Sequence, residues 1–302
     1  MIVIECSNLS KRFRKLNAVD SLDLQINEGD VFGFLGPNGA GKSTTLRMMV
    51  GLIRPSAGSL KVFGFDCWKQ HTKAMADVGA FIESPAFHGY LSGRENLKIL
   101  TNIGRNCSDK EIDRVLDVVG LLNRGKDKVR TYSQGMRQRL AIALAIAGNP
   151  KLVLLDEPTN GLDPQGMKEI RELITHLSKD LKMTIFLSSH LLHEVEQVCS
   201  RIAVINKGKL IASGKVSELL YGNNSYNILV DSKQKAQAVL EKLDWAKLVS
   251  AEDNSLLVLL NSKDSAELNK VLVNDGVAVY SLEKCKASLE DMYLKLMEES
   301  NA

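Results

Sequence analysis

The fold of this chain is decided by one short stretch, which reads Gly36-Pro37-Asn38-Gly39-Ala40-Gly41-Lys42-Ser43-Thr44. The stretch fits the pattern G-x-x-x-x-G-K-[ST]. It follows the apolar run 31–35 and precedes the apolar positions Leu46, Met48 and Met49. A buried strand, a glycine loop and a helix are therefore predicted in that order, which is the context that a phosphate-binding loop requires.

The composition of this loop explains what it binds. Glycine lets the backbone curl so that several N–H groups point at one anion. The helix that follows presents its positive end and its unpaired N–H groups to phosphate. Lys42 adds a cation for the β- and γ-phosphates of a nucleotide, and Ser43 offers a hydroxyl to Mg²⁺. Every residue from Gly36 to Thr44 is therefore a candidate nucleotide contact.

Length and composition exclude several classes of protein. A chain of 302 residues predicts about two domains. The net charge of +3 is too small to indicate nucleic acid or an anionic membrane surface as a partner. Five cysteines, widely spread and without a C-x-x-C pair, argue against a disulfide framework or a cysteine zinc site and fit a reducing compartment. No signal peptide is expected, and apolar runs such as 140–147 are too short to cross a bilayer.

Hydrophobic periodicity predicts an α/β fold with a mainly parallel sheet. Short strands are expected before residue 36, where Leu22, Leu24 and Ile26 alternate with polar residues. The pattern is helical from about residue 93 to 149, including a helix that begins at Ser108 with Glu111 placed for a capping box. Strands then alternate with helices, which implies parallel pairing. The expected strands after the loop lie near 59–62, 78–82, 152–156, 184–188, 202–205 and 210–212.

A turn-rich break at 221–225 predicts a domain boundary. We expect a nucleotide-binding domain over residues 1–221, with a helical subdomain at about 86–149, and a small α+β domain over residues 222–302. The tail is predicted to contain a strand, a helix, two strands, a helix, a strand and a final helix from Leu289.

Two acidic residues lie at the end of the apolar run 152–156. Asp156 ends the predicted strand and Glu157 follows it. A carboxylate at the carboxyl edge of a sheet can hold Mg²⁺, directly or through water, and a second one can polarise the water that attacks a γ-phosphate. A phosphate loop alone is compatible with a kinase, a switch GTPase or an ATPase, and two adjacent acids can also form a solvated turn. Together, the loop and the acids favour a site of hydrolysis.

A third segment, Tyr132-Ser133-Gln134-Gly135-Met136, opens a predicted helix. A serine hydroxyl and a glycine N–H at a helix start form a second surface for anions, although such a serine can also be a simple N-cap. With the loop and the acidic strand, this segment resembles the signature of the ATP-binding cassette family, which most often reads Leu-Ser-Gly-Gly-Gln. The similarity to that family extends over roughly residues 3–221.

The resemblance implies a P-loop NTPase cassette with an N-terminal antiparallel β part and a helical subdomain, which binds ATP and Mg²⁺ and hydrolyses ATP. Asp163, in Gly161-Leu162-Asp163, lies where the family has its dimer-contacting loop. His190 lies at the position of the switch histidine, which makes Glu157 and His190 the expected catalytic residues. Phe13 lies where an aromatic ring stacks on adenine, although a core aromatic is the other interpretation. The expected metal ligands are Ser43, Asp156 and Glu83.

Glu83 departs from the usual pattern, since the family commonly has glutamine there. A carboxylate changes the charge beside the metal and the triphosphate. Glutamate here, and the tail segment 288–293, resemble the subgroup that exports or protects against bacitracin and lantibiotics. A tolerated acidic variant without substrate meaning is the alternative.

The resemblance also implies partners. It predicts a head-to-tail homodimer in which Ser133, Gln134, Gly135 and Asp163 of one copy cover the ATP held by the other. Opening and closing of the dimer would drive export through separate membrane-spanning subunits, with this chain in the cytoplasm at the inner face of the cell membrane and without nucleic acid.

Two other functions stay open, namely a cassette ATPase that acts in translation or DNA maintenance and a regulatory module that does not hydrolyse ATP. The single cassette and the short interval from Thr44 to Ser133 argue against the first. The complete set of predicted catalytic residues argues against the second.

Overall fold

The computed structural model of the chain describes residues 1–14, 16–83, 86–104, 106–219, 225–252, 254–261, 264–284 and 293. The chain divides into two compact units, of which the first includes Met1–Gly214 and the second covers Lys215–Lys295. The boundary expected at residues 221 and 222 falls within the segment 220–224, outside the described residues, and stays a prediction.

The first unit contains both strands and helices. Its strands, in chain order, are β1 (Ile2–Phe13), β2 (Leu16–Asn27), β3 (Val31–Leu35), β4 (Ala57–Val62), β5 (Phe65–Asp66), β6 (Val78–Phe81), β7 (Leu152–Asp156), β8 (Thr184–Ser189), β9 (Arg201–Asn206) and β10 (Lys209–Lys215). Its α-helices are α1 (Lys42–Met49), α2 (His71–Met75), α3 (Gly93–Asn102), α4 (Asp109–Val118), α5 (Gln134–Ile146), α6 (Pro164–Lys179) and α7 (Leu192–Val198).

These strands form two sheets. The smaller sheet has the order β2-β1-β4-β5, is antiparallel throughout, and corresponds to the predicted N-terminal antiparallel part. The larger sheet has the order β10-β9-β3-β8-β7-β6, and β9–β3, β3–β8, β8–β7 and β7–β6 are parallel pairs. The predicted α/β fold with a mainly parallel sheet is therefore confirmed.

Burial follows the pattern that the sequence predicts. Every residue of β3, β7 and β8 is buried, as expected for central strands with both faces covered. In β2, Leu22, Leu24 and Ile26 are buried while the residues between them are exposed, so this strand covers the core with one face only. The parallel strands consequently share one carboxyl edge, which is where ligands bind in sheets of this kind.

Serine residues are the N-caps of the three α-helices that the structure describes between β6 and β7. Ser92, Ser108 and Ser133 are the N-caps of α3, α4 and α5, and each side chain accepts an N–H three residues later. The complete capping box is at Ser92, where the Glu95 carboxylate binds the Ser92 N–H. At Ser108, where the box was expected, the Glu111 carboxylate instead binds Arg114 and the Gly148 N–H. Arg114 offers a charged donor, and this contact lowers the pKa of Glu111 below its usual value.

A buried amide fixes the loop that precedes α3. Asn96 is fully buried, and its side-chain oxygen accepts the His88 N–H at 2.8 Å. Its side-chain nitrogen donates to the Ser92 carbonyl at 2.9 Å and to the His88 carbonyl at 3.1 Å. One side chain thus binds the His88 N–H and adds a second donor to the His88 and Ser92 carbonyls, which also accept backbone N–H groups.

The second unit is a small α+β fold, as predicted. It contains α8 (Val216–Leu219), β11 (Ser225–Val230), α9 (Lys233–Leu240), β12 (Ala246–Glu252), β13 (Ser255–Leu260), α10 (Ser265–Asn274) and β14 (Val279–Lys284). Its sheet has the order β12-β13-β11-β14 and is antiparallel, with a core around Ile228, Val258 and Leu268. The final helix expected from Leu289 lies outside the described residues, as does the tail segment 288–293 except for Tyr293.

The cysteines in the described part of the chain are free, namely Cys6, Cys67, Cys107 and Cys199. Burial raises the pKa of the Cys6 and Cys199 thiols well above the ordinary value, so these two are neutral packing groups. Among the helices described, none has the length and apolar character needed to cross a bilayer.

We predict that Asn96→Ala lowers the free energy of unfolding by about 2 kcal/mol, because the change empties a fully buried position and removes the acceptor of the His88 N–H. Urea unfolding followed by circular dichroism measures this change. Asn102→Ala, at the exposed end of the same helix, is the matched control and should change the value by less than about 0.5 kcal/mol. Equal losses in the two variants would contradict the role assigned to Asn96.

Candidate active site

The phosphate loop joins the carboxyl end of β3 to the N-terminus of α1, as the sequence predicts. Gly41 is the N-cap of α1 and has a left-handed backbone with φ of 108°. A Cβ atom at Gly41 would lie 2.2 Å from the Ala18 carbonyl oxygen, and one at Gly36 would lie 2.5 Å from the Ile205 carbonyl oxygen. Both positions therefore exclude any side chain, which is why the loop requires glycine there.

The Lys42 amine lies inside the loop rather than in solvent. The residue is only 6% exposed, and its Nζ donates to the Gly36 carbonyl at 2.7 Å and to the Pro37 carbonyl at 3.2 Å. The same nitrogen forms an ion pair with Glu157 Oε1 at 3.1 Å. The cation is thus already held where a phosphate would bind, and a phosphate group must compete with the Glu157 carboxylate for it.

The end of β7 carries the two acidic residues. Asp156 pairs in register with Ser188 of β8, and the Ser188 hydroxyl donates to Asp156 Oδ1 at 2.5 Å. The same hydroxyl accepts the Glu157 N–H at 3.0 Å. His190 Nδ1 lies 2.8 Å from Glu157 Oε2, so this carboxylate contacts Lys42 on one side and His190 on the other. The backbone of Glu157 is left-handed, with φ of 49°.

Ser188 is a residue of this site that sequence reasoning did not identify. It orients Asp156 and the backbone of Glu157 at once. The signal was present in the apolar strand that ends in Ser188 and Ser189 just before His190. The role of Ser188 becomes apparent only when β8 is known to pair directly with β7.

A cavity of about 350 Å³ lies against the phosphate loop. Phe13 is 43% exposed, and the Lys11 amine lies 5.0 Å from the centre of its ring. The cavity thus combines an aromatic wall with a loop of backbone N–H groups. Its lining consists of Phe13, Leu16, Ala18, Asn38, Gly39, Gly41, Lys42, Ser43, Thr44, Glu157 and Asn160. The structure therefore brings the predicted adenine contact and most of the predicted phosphate contacts together with Glu157.

A second cavity, of about 360 Å³, shares Glu157 and Asn160 with the first. Its lining also includes Asp156, Glu83, Gln134, Arg137, Gln138, Phe81 and Phe87. Glu83 is 66% exposed and forms an ion pair with Arg47 of α1. In the part of the chain described, no three acidic, histidine or cysteine residues form a cluster that could hold a metal ion. The hydroxyl of Ser43 and the carboxylate of Asp156 are the oxygen donors that Mg²⁺ prefers, so the donor chemistry fits the expected metal.

None of the residues expected to act on the partner's nucleotide lines the phosphate-loop cavity. Ser133, Gly135 and Asp163 are absent from its lining, whereas Gln134 lines the second cavity and donates to the Asn160 carbonyl at 3.3 Å. Ser133 and Asp163 are helix N-caps whose side chains accept the N–H groups of Met136 and Gly166. A Cβ atom at Gly135 would have nothing nearer than 4.0 Å, so the backbone at this helix start is open.

Comparison with known proteins decides the family. Residues 19–160 match the family described as ABC transporter. The chain is 40% identical over 299 residues to YhcH, an uncharacterized ABC transporter ATP-binding protein of Bacillus subtilis. The alignment covers 99% of this chain and 97% of that protein. This chain belongs to the ATP-binding proteins of ABC transporters. It is an ABC ATPase, the ATP-binding subunit of a transporter.

Two further comparisons bear on this ABC ATPase. It is 38% identical over 297 residues to the bacitracin transport ATP-binding protein BcrA of Bacillus licheniformis, with 98% of this chain and 97% of that protein covered. A dimeric ATP-binding cassette in a post-hydrolysis state, bound to ADP and Pi, superimposes with a TM-score of 0.64 over 70% of this chain and 98% of its own, at 24% identity. The structural match confirms the cassette fold.

We predict that Glu157→Gln strengthens ADP binding in the absence of Mg²⁺. The Lys42 amine then has no carboxylate partner, and the phosphates face one negative charge fewer, so the Kd should fall about fivefold. Titration calorimetry in EDTA measures the Kd.

Two controls accompany this measurement. Glu28→Gln, an exposed acid that precedes the amino end of β3 while the loop follows its carboxyl end, should leave the Kd unchanged. Lys42→Ala should lose tight nucleotide binding, and most of the gain from Glu157→Gln should disappear in that background. Unchanged or weaker ADP binding by Glu157→Gln alone would show that the carboxylate does not compete with phosphate.

Proposed function

We propose that two copies of this ABC ATPase enclose two ATP molecules, with each copy supplying half of each pocket. One observation carries the proposal: the loop cavity has a phosphate loop, an aromatic wall and Glu157, but neither Ser133, Gly135 nor Asp163. A second copy related by a twofold axis would bring these residues to the open side of the ATP. The likeness to a dimeric cassette supports this arrangement.

Within each pocket the residues take separate roles. Phe13 stacks on the adenine, and residues Gly36 to Thr44 bind the phosphates through backbone N–H groups and the Lys42 amine. Binding of the γ-phosphate draws Lys42 away from Glu157, whose carboxylate is then free to accept a proton from the attacking water. His190 holds that carboxylate in place through the contact at 2.8 Å.

The expected metal is Mg²⁺, held by Ser43 and Asp156. When bound, it neutralises charge on the phosphates during transfer. Ser188 fixes the orientation of Asp156 through its hydroxyl. Glu83 lines the same cavity as Asp156, and its ion pair with Arg47 balances its charge. Our proposal for Glu83 is that it joins the metal site from this position when the dimer closes.

We further propose that ATP hydrolysis here drives export of a peptide antibiotic such as bacitracin or a lantibiotic. A relative named as a bacitracin transport protein matches nearly the whole chain, including the second unit. In this proposal the chain lies in the cytoplasm against membrane-spanning subunits encoded separately. The surface before and along α3 is suited to that contact, because it exposes Tyr90, Ile99 and Ile103.

We predict that Glu157→Gln is dimeric with ATP and Mg²⁺ and monomeric with ADP, because ATP binding closes the pockets and the variant cannot reopen them by hydrolysis. Light scattering after size exclusion gives the mass, and phosphate release should fall by at least about 100-fold. The double variant Glu157→Gln/Gly135→Asp should stay monomeric, because the added carboxylate meets the partner's phosphates.

Gly135→Asp also supplies the control for this test. The position is open within one copy, so the substitution should fold and leave the Kd for ADP unchanged. A persistent dimer in the double variant, or a monomer in Glu157→Gln with ATP, contradicts the shared-pocket proposal.

Export is tested in cells that produce this chain together with the membrane-spanning subunit that the proposal requires. We predict that such cells tolerate more bacitracin than cells with Lys42→Ala, since only the former can bind ATP tightly. The membrane protein should also co-purify with either version, because the substitution lies in the pocket. Absence of a co-purifying membrane protein, together with equal tolerance, would refute an export role.

A further inference from the structure

An ion pair lies between α6 and α7, outside the site described above. Arg171 of α6 donates through one guanidinium nitrogen to Glu194 Oε1 of α7. The two side chains are 20% and 11% exposed, so the pair is largely removed from water. A buried ion pair is weak evidence for stability, because an apolar pair of similar volume often serves equally well. Another role must therefore be considered.

The second oxygen of Glu194 is incompletely satisfied by the protein. Oε2 is buried and has no hydrogen-bond partner among the described residues. Beside it lies a cavity whose volume open to the centre of a water molecule is about 10 Å³, the room that one water needs. Thr159 and Ser189 line the same cavity and carry hydroxyl groups. The Glu194 carboxylate and these two hydroxyls are the polar groups that a water molecule there would bond, in a cavity whose other lining residues are mainly apolar.

The position of this cluster connects it to the catalytic segments. Glu194 follows His190 by four residues, and Ser189 immediately precedes His190. The Ser189 hydroxyl accepts the Leu191 N–H at 2.9 Å. Thr159 follows Glu157 by two residues. Arg171 lies about two turns along the helix that Asp163 caps. Thr159 and Ser189 thus lie next to the two residues of the Glu157–His190 contact along the chain. Arg171 belongs to α6, the helix that Asp163 caps.

We propose that Arg171 and Glu194, with one water molecule bound between Glu194 Oε2 and the hydroxyls of Thr159 and Ser189, are positioning residues that fix His190 relative to Asp163. An ion pair with hydrogen bonds has directional geometry, whereas apolar side chains allow two helices to slide. A displacement of the Asp163 loop on dimer closure is thereby passed to the residue that holds Glu157. This inference rests on the proposed function.

The test separates positioning from stability. Arg171→Met and Glu194→Leu should each lower Tm, because each leaves one buried charge without a partner. The double variant Arg171→Met/Glu194→Leu should regain most of the wild-type Tm, because no lone charge remains. Its kcat for ATP hydrolysis should nevertheless stay about tenfold below wild type, with KM for ATP within about twofold, since only the alignment of the catalytic residues is lost.

Conservative and surface variants complete the set. Arg171→Lys keeps a cation but not the planar guanidinium that fixes the direction of the single bond to Glu194 Oε1, so it should retain the wild-type Tm and lose about threefold in kcat. Glu172→Gln, on the exposed side of α6, should change neither quantity. A crystal structure that resolves ordered solvent should show one water beside Glu194 Oε2.

Several results would overturn the inference. The first is a double variant with wild-type Tm and wild-type kcat, which would make the pair purely structural. Should the double variant fail to fold, wild-type kcat in Arg171→Lys overturns the inference in its place. Crystallographic density without a water molecule at Glu194 Oε2 would contradict the bound water that the inference assigns there. Failure of the proposed function is distinguishable, because it would appear in the wild type as absent ATP hydrolysis or in Glu157→Gln as an absent dimer.

Discussion

The contact between the Lys42 amine and the Glu157 carboxylate is the interaction on which the rest of this site depends. A buried cation is costly unless it is paired and hydrogen-bonded, and here two loop carbonyls and one carboxylate satisfy it. The same contact ties the phosphate loop to the end of β7. In the proposed mechanism it also keeps the carboxylate occupied until a phosphate replaces it, so that nucleotide binding and the release of the base become one event.

The sheet topology makes this contact available. Strands β3, β8 and β7 are adjacent and parallel, so their carboxyl ends carry the phosphate loop, His190 and the acidic pair to one edge. The register places Asp156 opposite Ser188, and one hydroxyl then orients both acidic residues. Lys42 and Glu157, separated by more than a hundred positions in the chain, thus meet at this edge.

The sequence predicted the parts of this arrangement that depend on local chemistry. The glycines of the loop, the apolar central strands and the serine caps each follow from a few neighbouring residues, and the structure contains them. Pairs that depend on strand order or helix packing were not predictable, because no local pattern marks their partners. The bonds of Ser188, the ion pair between Arg47 and Glu83 and the buried amide of Asn96 are of this kind. The capping box expected at Ser108 failed for the same reason, since Glu111 found a stronger partner in Arg114.

The left-handed backbone at Glu157 has a consequence for how such a protein tolerates change. A residue with a Cβ atom in this conformation costs about 1–2 kcal/mol relative to a right-handed one, and glycine would avoid that steric cost. The conformation turns the chain sharply after β7, so that the carboxylate can lie between Lys42 and His190. A glycine there would release the backbone cost but leave the buried Lys42 amine without its carboxylate, so selection for heat resistance alone would gain little from this position.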